Sequence, residues 1–234
     1  MLSDDLRELQ RIDTAVDQIM YKRARLPEGE AAAEARAAAS RNRQTIAGIV
    51  ARQRELTDAI EASEFQGSEL TRKGERLQGQ MKTVIALREA EALQHEIAAI
   101  ASERDALDDV ELGALEEQST LLDELTDAHR AEPDLDASSQ TAAADLAAAE
   151  AVLDAEMGAL TTARSDVVGR LEPGALGDYE RRRAHHGGIA VAHLEGRMCS
   201  GCRLDLSTSE LEQVRATPPG EIADCPQCGR MLLP

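Results

Sequence analysis

Apolar residues along the first 172 positions return at alternating steps of three and four, with few breakers between them. In one half the series runs Ile46, Ile49, Gln53, Leu56, Ile60, Ser63, Gly67, Leu70, Gly74 and Leu77; in the other it runs Leu93, Ile97, Ile100, Arg104, Leu107, Glu111, Ala114, Gln118, Leu121 and Leu125. That spacing keeps one stripe of a helix against a partner helix. The two series mirror each other about Gly79 and Gln80, so the pattern predicts a long antiparallel coiled-coil hairpin over residues 1–172 with its tip near 74–82. In the mirrored register Ile60 meets Ile100, small residues meet large ones (Gly67 with Leu93, Ala39 with Leu121, Ala35 with Leu125), and Asn42 meets Gln118 as a buried polar layer. The same heptads would also serve a parallel coiled coil between chains; the hairpin is preferred because other features repeat the mirror.

Charge is one of them. Arg36, Arg41, Arg43, Arg52 and Arg54 lie in a stretch without acids, and the mirror stretch holds Asp108, Asp109, Glu111, Glu116, Glu117, Asp123 and Glu124 without bases. Pro27 and Pro133 each lie 53 residues from the mirror point. Each is expected to break its helix at one level, leaving a hairpin kinked near Pro27/Pro133. Beyond the kink, Leu6, Leu9, Ile12, Val16 and Ile19 should pair with Leu146, Leu153, Leu160 and Val167.

Composition agrees with helices. Apolar residues make up 42% of the chain but aromatic ones only 1%, and the excess of 44 acidic over 26 basic residues gives a formal charge of -18. A chain so poor in rings cannot fill a large globular core, whereas Ala, Leu, Glu and Arg suit coiled coils. The opening "MLSDDLRELQRID" has neither a basic nor an apolar leader segment, and no apolar run approaches the roughly 18 residues of a membrane span. A cytoplasmic protein without membrane contact is expected.

All four cysteines fall near the end, as Cys199 and Cys202 in "GRMCSGCRLDL" and Cys225 and Cys228 in "DCPQCGRMLLP". Two C-x-x-C pairs supply the four thiolates of one tetrahedral structural Zn²⁺. Gly201 and Gly229 suit tight turns, "IAVAHL" and "RMLL" read as strands, and "STSELEQV" reads as a short helix capped by Ser207 or Thr208. Residues 173–234 thus form a connector and a small zinc ribbon, too short to fold without its metal. A redox pair would need a βαβ setting, and a catalytic zinc would need an open position; neither is present. His185, His186 and His193 lie nearby but exceed the four ligands required.

The segments "EALQHEI", "YERRRAHHGGIAVAHLEGRMCSGC" and "CPQCGRMLLP" resemble the bacterial proteins that join an N-terminal antiparallel coiled-coil hairpin to a C4-type zinc ribbon. The resemblance covers essentially the whole chain. It implies a non-enzymatic adaptor or chaperone-like factor whose partners belong to the transcription apparatus, in some cases a sigma factor, or are RNA. Where such relatives tend to carry an Asn/Lys-rich turn at the tip, this chain has "RKGERLQGQMK".

No nucleophile, base and orienter assemble from the motifs, no Gly-rich phosphate loop is present, and no small-molecule substrate is implied. Two readings remain. In one the hairpin and ribbon bind a protein, and the basic clusters Arg72, Lys73, Arg76 and Arg181, Arg182, Arg183 give two separated contacts, with the apolar face at Met231–Leu233 as the substitute surface. In the other the ribbon region binds nucleic acid through Arg181–Arg183, Arg197, Arg203 and Arg230. Interspersed acids and the scarcity of stacking rings weigh against the second.

Overall fold

The computed structural model describes residues 2–218 and 221–233. Helix α1 (Leu2–Arg23) leads through a short turn into α2 (Pro27–Met81), and α3 (Leu87–Val168) returns antiparallel. Then follow α4 (Pro173–His185), β1 (Val191–Glu195), β2 (Met198–Cys199), α5 (Thr208–Arg215), β3 (Ala223–Asp224) and β4 (Met231–Leu233). The expected coiled-coil hairpin followed by a small strand region is present. Residues 32–142 form one unit; residues 1–31 together with 143–234 form the other.

Within residues 32–142 the seam positions are those of the heptad pattern. Ala39, Ile49, Leu56, Ser63, Ile100 and Ala114 are buried, whereas most positions between them are exposed. The register differs from the expected one. A Cβ built on Gly74 lies 3.7 Å from Ile100, so Ile100 faces Gly74 rather than Ile60, a slip of 14 residues or two heptads. The turn correspondingly occupies residues 82–86, not 74–82. A shift of whole heptads returns every seam residue to the seam, so the apolar pattern does not oppose it. Asn42 does not meet Gln118; its amide donates to the carbonyl of Ala128 at 2.9 Å, and Gln118 donates instead to Thr57 at 3.0 Å. Of the mirrored charges, Arg52 forms a two-pronged pair with Glu117 at 2.7 and 2.9 Å.

Pro27 opens α2, where its missing N–H costs nothing. Pro133, expected to break its helix, lies inside the unbroken α3. In its own unit Gly29 faces Leu146; in the other, Asn42 and Arg43 reach Ala128 and Asp136 on either side of Pro133. A proline within a helix removes the hydrogen bond to the carbonyl four residues earlier and crowds that turn. Asn42 donates from outside the helix to Ala128 O, the carbonyl next to that of His129, which Pro133 leaves without its amide.

Candidate metal centre and its seat

The ribbon is a four-stranded sheet in the order β2-β1-β4-β3, with β1 and β4 parallel and the other pairs antiparallel. Its two cysteine turns have the same construction. In the first, the N–H of Arg203 donates to the carbonyl of Cys199 at 2.8 Å; in the second, the N–H of Gly229 donates to the carbonyl of Cys225, also at 2.8 Å. Each closing residue has positive φ, 61° at Arg203 and 73° at Gly229. Gly229 thus meets the conformational need expected of it. Gly201 does not have positive φ: its requirement is space, since a Cβ there would lie 2.6 Å from Arg230 Cδ and 3.1 Å from Ala192.

This repeated geometry brings the sulfur atoms of Cys199, Cys202, Cys225 and Cys228 within 4.8 Å of one another. Four thiolates at about 2.3 Å from a zinc ion sit at comparable spacing, so the donor set and its closure fit one structural Zn²⁺. Backbone N–H groups face the sulfurs at matching offsets, Leu204 toward Cys202 and Arg230 toward Cys228, with Gln227 and Cys228 toward Cys225. Burial pushes the Cys225 thiol up to about 12, and burial also raises Cys202. Burial acts on Cys228 in the same sense, but the N–H and guanidinium of Arg230 together with the Cys225 and Cys202 thiols outweigh it and hold that thiol below its ordinary range. Four clustered thiols resist joint ionisation; a bound dication supplies the charge that makes all four thiolates stable. His193 stands outside the cluster, exposed, with its ring beside Ser200.

Around the site, α5 is held as expected: Ser207 accepts from the N–H of Glu210, whose carboxylate returns to the N–H of Ser207 at 2.7 Å. Alternation along β4 then divides the ribbon between two cores. Leu232 joins Ala192, Cys199, Leu206, Leu211 and Cys225 on the metal side. Met231 and Leu233 point the other way, onto Leu6, Leu9, Ile12, Val167 and Tyr179. The apolar strand Met231–Leu233, the substitute binding surface of the sequence reading, is therefore buried, Met231 and Leu233 against the helices and Leu232 on the metal side. Metal is not the ribbon's sole core.

Polar groups complete this seat. The Gln10 side chain acts as a neighbouring strand, its Oε1 accepting from the N–H groups of Ala190 (2.7 Å) and Val191 (3.2 Å) and its Nε2 donating to Gly188 O at 2.8 Å. Asp13, with 3% of its side chain exposed, accepts from Tyr179 Oη at 2.8 Å and from Arg164 Nε at 2.7 Å, with Arg183 at 3.4 Å. Arg164 also pairs with Glu180, and Arg183 with Asp17 at 2.8 Å. This ties α1, α3 and α4 together. Burial, with the Asp13 carboxylate alongside, pushes the Tyr179 phenol far above its ordinary value. Gln10, Asp13 and Arg164 are not singled out by the sequence, and Tyr179 stands out there only as an aromatic beside the ribbon, not as a buried partner of Asp13. Asp13 did carry a signal, since it continues the three-four steps of Leu6 and Leu9 with a charge in a seam position.

The basic residues considered for partner binding fall into distinct settings. Arg182 reaches Asp178, Asp224 and the carbonyl of Gly229, and Arg183 is engaged as above; Arg181 remains exposed beside Asp178. Arg72 is exposed next to Glu69, and Lys73 and Arg76 are exposed on the same stretch of α2. Among the described residues no helix is long and apolar enough to cross a membrane.

Comparison with known proteins follows the same division. Residues 9–187 match the CT398-like coiled coil hairpin domain, and residues 198–232 match the C4-type zinc ribbon domain. Uncharacterized proteins MT2288 and Rv2229c, from two strains of Mycobacterium tuberculosis, are each 27% identical over 97% of this chain and 93% of their own length. The structure of CT398 from Chlamydia trachomatis superposes with a TM-score of 0.85 at 21% identity, covering 99% of this chain and 98% of that one. A Mycobacterium smegmatis structure gives 0.74 at 21% identity over 99% and 97% of the two chains, and HP0958 from Helicobacter pylori gives 0.65 at 16% over 98% and 95%.

Proposed function

The chain belongs to the CT398-like coiled-coil hairpin family with a C4-type zinc ribbon, and on that footing we propose that it is a non-enzymatic adaptor that binds a protein partner. The transcription apparatus is the class of partner that the family resemblance implies. One observation carries the choice of protein over nucleic acid: of the arginines that would meet phosphates, all but the exposed Arg181 are engaged with groups around the ribbon. Besides Arg182 and Arg183, Arg197 donates to Leu206 O at 2.8 Å, Arg203 faces Glu195 at 3.3 Å, and Arg230 donates to Ile189 O at 2.9 Å. A phosphate there would compete with these acceptors for the guanidinium groups, in a chain whose formal charge of -18 repels polyanions. Large apolar side chains, in contrast, remain exposed on the hairpin unit, among them Phe65, Val110, Leu112 and Leu122. Zinc in this reading is structural. Its four thiolates close the coordination shell and hold the ribbon in shape.

Anisotropy titrations of labelled single-stranded RNA and duplex DNA with the zinc-loaded protein separate the two readings. The adaptor reading expects no saturable binding at moderate salt. Saturable binding whose affinity falls steeply with salt, and which is lost on Arg181→Glu, would favour the nucleic-acid reading instead.

A further inference from the structure

We propose that the hairpin turn is a docking head, an apolar apex within a cationic collar that enters an apolar, carboxylate-rimmed pocket on another protein. This rests on the adaptor reading and names the surface that performs it. Ile85 is 100% exposed and Leu87 76% exposed, the two most exposed large apolar side chains among the described residues. Val84 and Ala86 complete a continuous apolar run at the apex. The turn does not need them. It is closed by polar groups, the N–H of Lys82 donating to Gly79 O at 3.3 Å and the N–H and hydroxyl of Thr83 donating to Gln80 O at 3.0 and 2.9 Å. Solvated turns ordinarily place Gly, Asn, Asp or Ser at such positions.

Charge sharpens the choice of partner. Residues 70–98, an equal extent of both helices about the turn, hold five cations, Arg72, Lys73, Arg76, Lys82 and Arg88, against four acids, Glu75, Glu89, Glu91 and Glu96, in a chain of net charge -18. Lys82 and Arg88, the cations that flank the apex on its two sides, are both exposed and form its collar. A convex apolar tip ringed by positive charge complements a concave apolar site ringed by negative charge. An anionic bilayer offers the same two chemistries. It fits less well, because two fully exposed apolar side chains give little area to insert and the acidic body is repelled by anionic headgroups.

The test places the photo-crosslinking residue benzoylphenylalanine at position 85 of the full-length protein in the cells that make it, with position 103, exposed on α3, as the control. The expected result is a discrete protein adduct from position 85 and none from 103. The adduct should map to apolar residues bordered by Asp or Glu, and its yield should fall at least tenfold when Lys82→Glu and Arg88→Glu are combined, with helicity and zinc content unchanged. A protein adduct from other hairpin positions but not from 85 would overturn the docking head and leave the adaptor reading standing. An adduct from 85 that survives the charge reversal, or maps to a segment without carboxylates, would overturn the proposed partner chemistry. Lipid adducts from 85, with wild-type but not Ile85→Asp protein sedimenting on phosphatidylserine–phosphatidylcholine vesicles, would replace the protein partner by a membrane. No protein adduct from any position would remove both readings.

Discussion

Substituting Asp13 by Asn keeps the shape of the most enclosed carboxylate in the seat and removes its charge. Asp13 accepts two hydrogen bonds shorter than 3 Å, from Tyr179 and Arg164, and lies 3.4 Å from Arg183. Breaking a buried charge pair by removing one member costs about 3–5 kcal/mol. The partners here are less enclosed, at 32% side-chain exposure for Arg164 and 24% for Arg183, and each retains a second carboxylate, Glu180 and Asp17. The charge contribution is accordingly reduced to about 1–2 kcal/mol. Tyr179 is fully buried, and its hydroxyl then faces an amide that must present its oxygen to the phenol while its NH₂ opposes the guanidinium of Arg164. A mismatched buried donor adds about 1–3 kcal/mol. Together the substitution should cost about 2–5 kcal/mol. Urea unfolding followed by ellipticity at 222 nm and by the near-ultraviolet tyrosine signal measures it, since the chain has no Trp and only two Tyr. A loss below about 0.5 kcal/mol would refute the view that this network fastens α1, α3 and α4.

Cys199→Ser should lower bound zinc well below one per chain and abolish amide protection around Leu206 and Leu211, while Met231 and Leu233, packed on the helices, retain theirs; elemental analysis and hydrogen exchange measure both. Because the Tyr179 phenol is raised in the fold, stability is intact below the unfolded value near pH 10 and falls above it, by up to about 1.4 kcal/mol per pH unit. Urea titrations from pH 9 to 11 should show that fall, and Tyr179→Phe should make it shallower. Arg203→Gly relieves a positive φ of 61° and should gain up to about 1 kcal/mol, whereas Gly201→Ala drives a methyl to 2.6 Å from Arg230 and should cost about 1–3 kcal/mol. Thermal melts of zinc-loaded protein compare the two.

How much of this was legible follows from what each pattern encodes. The heptad steps identify which residues face a partner helix but carry no information about displacement by whole heptads. The mirrored prolines and charges therefore suggested a register two heptads away from the one in which Ile100 meets Gly74. Pro133 misled for a related reason. It removes one bond from an 82-residue helix packed along a partner, and that packing is a tertiary fact. Local signals were dependable: the capping box at Ser207 and Glu210, the strands at Val191 and Met231, and the paired cysteines each involve residues a few positions apart. The seat of the ribbon was not legible, because Gln10 and Asp13 act across more than 150 residues of sequence on groups that nothing nearby announces.

The central claim, that a protein and not a nucleic acid is the partner, is tested most directly by recovering the tagged full-length protein from the cells that make it, with and without nuclease, and identifying what remains bound. A protein held in near-stoichiometric amount, unchanged by nuclease and lost when the apex is altered by Ile85→Asp, is the expected result. Recovery of RNA or DNA as the main bound component, with any protein released by nuclease, would contradict the account.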